Sequence, residues 1–171
     1  MNVRLANRVV DAAHLNLSNA QRWLYGLGNL GCSIPYQAVG AVLLFFYTDV
    51  RQLNPVWAAA VMSLYSIYNA VNNPVVGYIS DRTRSRWGRR VPYILFGTLP
   101  YALFFALLFF APMNGRSNPI GLLIYFAVVL FLFETLATLV QTAYYALLPE
   151  MFDEYKDRTS VAVRMNIFMT V

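Results

Sequence analysis

Glu134 sits midway along an apolar run from about Ile120 to Leu148, and no other complete apolar run of the chain holds a carboxylate. Such a group inside a membrane-length helix is a candidate functional site, because burying a charge there is expensive. Thr138 and Gln141 follow at i+4 and i+7, so helical spacing sets all three on one stripe. Glu134 would then take up and release a proton, or accept hydrogen bonds from a hydroxyl-bearing solute; a structural, hydrogen-bonded carboxyl is the plain alternative. Ser66, Asn69 and Asn73 fall at i, i+3 and i+7 of another run, with Asn72 just off their stripe. An asparagine carbonyl can approach a cation, but it brings neither a charge nor a titrating proton. The stripe must face protein or water, either as hydrogen-bonded glue between helices or as the wall of a cavity. Ser33 and Gln37 add a hydroxyl and an amide in the first run, and Arg164 brings a cation near the end of the chain.

These side chains need elements that hold them in a membrane. Hydrophobic residues make up 58% of the chain and charged ones 12%, with mean hydropathy +0.48, more apolar surface than a soluble domain of this length buries. Spans are expected at 23–47, 56–80, 92–112 and 120–148, each long enough at roughly 1.5 Å per residue to cross about 30 Å of hydrocarbon. A further helix is expected from near Thr159 to Val171, too short for a complete crossing. Gly26, Gly28, Gly31 and Pro35 crowd the first span, which fits either close helix packing or a backbone opened toward a cavity. Pro92 opens the third span, whose residues Tyr93 to Ala111 read as a packing or lipid-facing surface. Asp49 to Pro55 and Pro112 to Pro119 are expected as turns, and residues 149–158 as a charged loop.

Residues 1–22 form a polar leader, either an amphipathic surface helix through Leu5 and Val9 or a mobile tail, and no cleaved signal peptide is read there. Between the second and third spans, Gly77 to Pro92 holds five arginines. Clustered Arg resists crossing the bilayer and marks this loop as cytoplasmic. With the leader and the 149–158 loop on the same side, Lys and Arg there far outnumber Arg51 and Arg116 opposite, so the N-terminus is expected in the cytoplasm. The net charge of +5 thus reports topology and implies no nucleic-acid partner. Cys32, alone in the sequence, has no internal disulfide partner, and His14 lacks companions at metal-ligand spacing. No nucleophile with a base partner stands in the spans, so no catalytic residue or metal ligand is assigned and an intramembrane enzyme is disfavoured.

The loop itself carries a resemblance. Gly77-x-x-x-Asp81-Arg82 with Gly88-Arg89-Arg90 resembles the loop between helices two and three of the major facilitator superfamily. The longer string from Tyr68-Asn-Ala-Val-Asn-Asn-Pro74 through Arg86-Trp-Gly-Arg-Arg-x-Pro92 is similar to the glycoside-pentoside-hexuronide:cation symporters, the melibiose permease group. Phe46-Tyr-Thr-Asp49, Tyr145-Ala-Leu-Leu-Pro149 and Arg158-Thr agree with it. The resemblance implies an all-α transmembrane bundle of twelve helices in two halves. This chain would supply residues 23–171 of the first half, four complete spans and the start of a fifth, with a C-terminal half as partner.

By the same resemblance the function is secondary active transport of a sugar, glycoside or related small solute by alternating access in the cell membrane. No cofactor is implied beyond a coupling ion, H⁺ or Na⁺. The pattern departs where that group has acidic residues: Asn69 and Asn73 on helix two, Gln141 on helix four and Ser33 on helix one. Resemblance alone therefore does not carry sodium coupling over. Ser33, Gln37, Asn69, Gln141 and Arg164 are expected to line one solute cavity, where Arg164 would favour an acidic solute. Glu134 is expected to handle protons, with Asn69 and Asn73 beside it. Asp81, Arg82, Arg86, Arg89 and Arg90 are expected to form a cytoplasmic gate. A uniporter, or a non-transporting binding or scaffold protein, is the alternative.

Overall fold

The computed structural model describes residues 19–83, 85–86, 90–151 and 155–170. Residues 1–18 of the leader, and Arg89, lie outside the described residues. The chain forms α1 (Asn19–Phe45), a π-helical turn (Phe46–Val50), α2 (Pro55–Arg82), α3 (Val91–Phe109), α4 (Pro119–Met151) and α5 (Tyr155–Thr170). Two expected boundaries need correction. The turn placed at Asp49 begins only after Val50, because the wide π turn carries the helix on and Arg51 N–H closes it onto Phe46 O at 2.9 Å. The 149–158 loop shrinks, since α4 runs through Pro149 and α5 starts at Tyr155 rather than near Thr159.

Asn-Pro pairs start two of the helices. Asn54 accepts from Val56 N–H at 2.9 Å and Asn118 from Gly121 N–H at 2.9 Å, while Pro55 and Pro119 fill first-turn positions where a missing N–H costs nothing. Among the described residues three helices are long and apolar enough to cross a membrane, Trp23–Val50, Val91–Phe109 and Pro119–Pro149. Helix α2 has the length, but its serines, tyrosines and asparagines lower its hydropathy.

The chain divides into two compact units, 34–145 and 1–33 with 146–171. In the first, α4 is the central helix: 39% of its most apolar window is buried, against 17% for α3. Leu122, Phe126, Leu130 and Phe133 are fully buried along it. The Tyr47 ring stacks on Phe126 with centroids 4.0 Å apart, and its hydroxyl donates to Leu108 O at 3.0 Å. Leu95, Phe96, Leu99 and Leu103 of α3 face outward, as expected of a lipid-contacting helix.

Helix α2 turns Leu64, Ile67, Val71, Val75 and Tyr78 outward along one face and buries Asn72 and Ser80 together with Ala58, Val61 and Val76. An apolar face turned outward is stable with hydrocarbon as solvent. In the second unit Asn29, 1% exposed, donates from Nδ2 to Met165 O of α5 at 3.3 Å. Val161 and Met165 are buried there.

At the other end of the first unit, Gly115 N–H donates to Arg51 O at 2.7 Å, beside Gln52 with its φ of 57°. A Cβ at Gly115 would collide with the Gln52 backbone. Gly115→Ala is therefore expected to cost about 1–3 kcal/mol, as overpacking against atoms that cannot rotate away. A thermal melt of the detergent-solubilised protein would reveal it as a lower midpoint.

Candidate functional site

The polar face of α2 meets α4 through three side-chain hydrogen bonds. Tyr65 Oη donates to Glu134 Oε2 at 2.8 Å, Tyr68 Oη pairs with Thr135 Oγ1 at 2.7 Å, and Asn72 Nδ2 donates to Thr138 Oγ1 at 3.0 Å. Residues 65, 68 and 72 share one face of α2 at i, i+3 and i+7. Thr135 donates its single proton to Phe131 O at 2.8 Å, so Tyr68 is the donor in the middle bond. Thr138 donates toward Glu134 Oε1 at 3.4 Å. Each of these bonds thus carries its proton from α2 to α4, and Glu134, 1% exposed, accepts at both oxygens.

Next to this seam lies a cavity of about 270 Å³ lined by Tyr36, Asn69, Asn73, Glu134, Thr138, Gln141, Thr142 and Tyr145. Asn69 Nδ2 reaches Tyr36 Oη at 3.4 Å and accepts at Oδ1 from Asn73 Nδ2 at 2.7 Å. Four sequence-predicted residues, Asn69, Asn73, Glu134 and Gln141, therefore come together. The wall is amide and hydroxyl with Glu134 as its one formally charged residue. Such a wall offers hydrogen bonds of both senses to a hydroxyl-rich solute.

Other expected residues are placed differently. Gln37 is exposed and does not line this cavity; Tyr36, roughly 100° around α1, takes that place. Ser66 returns its hydroxyl to Met62 O at 3.0 Å and is absent from the lining, and the buried asparagine is Asn72, off the expected stripe. Ser33 and Arg164 belong to the other unit. Ser33 is buried there, and its Oγ has no hydrogen-bond partner among the described residues. The Arg164 guanidinium lies over the Trp23 ring, 5.3 Å from its centroid, and donates to Ser160 Oγ at 2.7 Å. Thr142 and Tyr145 were missed although they continue the Glu134 stripe by one more turn. Tyr65 and Tyr68 were missed because tyrosine in an apolar run reads as packing.

In the arginine loop Arg90, 11% exposed, pairs with Asp81 at 2.6 Å and donates to Ser80 Oγ at 3.1 Å. Arg82 instead lies over the ring of Tyr78 on its own helix, 4.2 Å from the centroid, and Arg86 is exposed. The Thr83 and Tyr93 hydroxyls pair across the base of the loop. Among the described residues, an ion pair and a hydroxyl contact help to close the segment between α2 and α3.

Comparison with known proteins gives this arrangement a family. The family described as MFS/sugar transport protein matches residues 24–171. This chain belongs to that family. The resemblance carried by the arginine loop is borne out, and so is the all-α transmembrane fold. An uncharacterized symporter of Synechocystis sp. is 39% identical over 147 residues, covering 84% of this chain and 26% of the relative. The sodium-dependent lysophosphatidylcholine symporter 1-A of Danio rerio is 35% identical over 139 residues, covering 78% and 25%. The isoprimeverose transporter of Lactiplantibacillus pentosus is 26% identical over 159 residues, covering 92% and 32%. The chain spans about a quarter to a third of the length of these curated relatives. They are transport proteins by name, and this family member is a membrane protein.

The two neighbouring asparagines should respond differently to truncation. Asn72→Ala leaves the buried Thr138 hydroxyl without its donor and is expected to cost about 1–3 kcal/mol, whereas exposed Asn73→Ala is expected to change stability by less than about 0.5 kcal/mol. Paired thermal melts in one detergent make the comparison.

Proposed function

We propose that this chain belongs to a secondary active transporter that moves a sugar, glycoside or related small solute across the cell membrane by alternating access. A second six-helix half completes it, and its N-terminus is cytoplasmic. The observation that carries this reading is the cavity itself. Amides and hydroxyls surround one carboxylate, and about 270 Å³ is at the small end of ligand pockets. Asn69, Gln141, Tyr36 and Thr142 hold the solute hydroxyls in this reading. The amides and hydroxyls of the lining suit a neutral, hydroxyl-bearing solute such as a sugar.

Glu134 is the proton-handling group. Neutral Asn69 and Asn73 can steady a hydroxyl or a cation but cannot titrate, which leaves Glu134 as the carboxyl of the cavity. The Asp81–Arg90 pair acts as a latch of the cytoplasmic gate, to which Arg82, Arg86 and Arg89 of the same loop contribute positive charge. A charge pair bridging two helix ends holds one conformation and releases the other.

Proteoliposomes containing the full-length protein test both parts. Labelled sugar is expected to exchange by counterflow, and a sugar gradient is expected to drive a pH change. Glu134→Gln should abolish the pH change while counterflow persists; coupling that survives the substitution ends the proton assignment, and absence of counterflow with every sugar offered ends the transport reading. Asp81→Ala should slow turnover several-fold with a smaller effect on solute affinity.

A further inference from the structure

We infer that Tyr65 is the positioning residue through which the charge on Glu134 is transmitted to α2, an inference that rests on Glu134 being the proton-handling group. The geometry is one of donor direction. All three bonds of the seam run from α2 donors to α4 acceptors, and Glu134 accepts at Oε2 from Tyr65 and at Oε1 from Thr138. Thr138 donates to Glu134 from the same helix, so that contact ties no second helix to the carboxyl. Among the described residues Tyr65 is the side chain that bonds Glu134 from another helix, at 2.8 Å, and its hydroxyl also pairs with that of Tyr36.

When a proton from water forms an O–H bond on Glu134, Tyr65 faces a neutral acid: it either donates to an uncharged oxygen or turns its own O–H away and accepts, and in both cases the bond between α2 and α4 loses its charge assistance. When the proton returns to water, the carboxylate again accepts from Tyr65, now as a charge-assisted bond, roughly twice as strong as a neutral one. Uptake and release of one proton thus loosen and tighten the rung of the seam that adjoins the cavity, with nothing else consumed. The next rung, Tyr68 to Thr135, involves no ionisable acceptor and stays fixed.

Few other groups compete for this role. Tyr36 of α1 faces the cavity, Tyr145 lies on α4 itself, and α3 presents Tyr101, whose ring stacks on Phe133 with centroids 5.2 Å apart. All three are phenols, and the Asp81–Arg90 ion pair lies at the far end of α2.

The test compares protons moved per solute with counterflow in proteoliposomes of the full-length protein. Tyr65→Phe removes only the hydroxyl. It is expected to leave sugar counterflow within about twofold of wild type and to lower the coupling ratio by about tenfold, the scale of one hydrogen bond to a charged group. Tyr68→Phe, which removes the neighbouring rung, should leave the coupling ratio unchanged. Glu134→Asp keeps a carboxyl but withdraws it from Tyr65, and it should uncouple in the same way should Tyr65→Phe fail to reach the membrane. Coupling in Tyr65→Phe or Glu134→Asp equal to wild type overturns the inference, as does equal uncoupling by Tyr68→Phe, which would make the seam a merely structural contact. A wild-type protein that exchanges sugar without moving protons removes the underlying reading instead, a result distinguishable before any variant is made.

Discussion

Lipid offers no hydrogen bonds, and the architecture of the first unit follows from where α2 puts its polar atoms under that constraint. Three side-chain donors on one face of α2 find acceptors on α4 across the Tyr65, Tyr68 and Asn72 bonds. The adjoining face shows Leu64, Ile67, Val71 and Val75 outward. A helix with this pattern is stable only beside a partner whose acceptors match its donors in register. Between lipid-facing surfaces there is no hydrophobic driving force, so such bonds and close packing must hold the pair together.

The seam and the cavity share residues. Glu134 and Thr138 accept bonds from α2 and also line the space where Asn69, Asn73 and Gln141 converge. A solute hydroxyl entering that space therefore meets groups already engaged in holding two helices together. Binding and packing draw on the same acceptors, which is the physical requirement for a ligand to bias one conformation over another. At the C-terminal end of α2, the Asp81–Arg90 pair ties α2 to the start of α3. The same helix thus carries both the rungs beside the cavity and one side of the proposed latch.

Much of this could be read from residue order. The apolar runs gave the helices, and the turns read at 49–55 and 112–119 separated them. Glu134, Thr138 and Gln141 share a stripe because helical geometry is rigid enough to fix it locally. What spacing cannot supply is rotation: whether Tyr36 or Gln37 turns inward, and whether Asn72 or Asn73 is buried, depends on the neighbour each helix packs against. Tyr65 was illegible for a related reason. Tyrosine serves equally as an apolar ring and as a hydroxyl donor, and only the position of Glu134 across the interface decides which. Asp81's partner was likewise open among several arginines until the loop geometry brought Arg90 to 2.6 Å.

The central claim is that the buried carboxyl and the transported solute occupy one cavity. Infrared difference spectroscopy of the full-length protein, with and without a sugar whose binding is established by calorimetry, tests this most directly. Sugar binding is predicted to perturb a carboxyl or carboxylate band that is missing in Glu134→Gln. A bound sugar that leaves every Glu134 band unchanged would place the solute elsewhere and contradict the account.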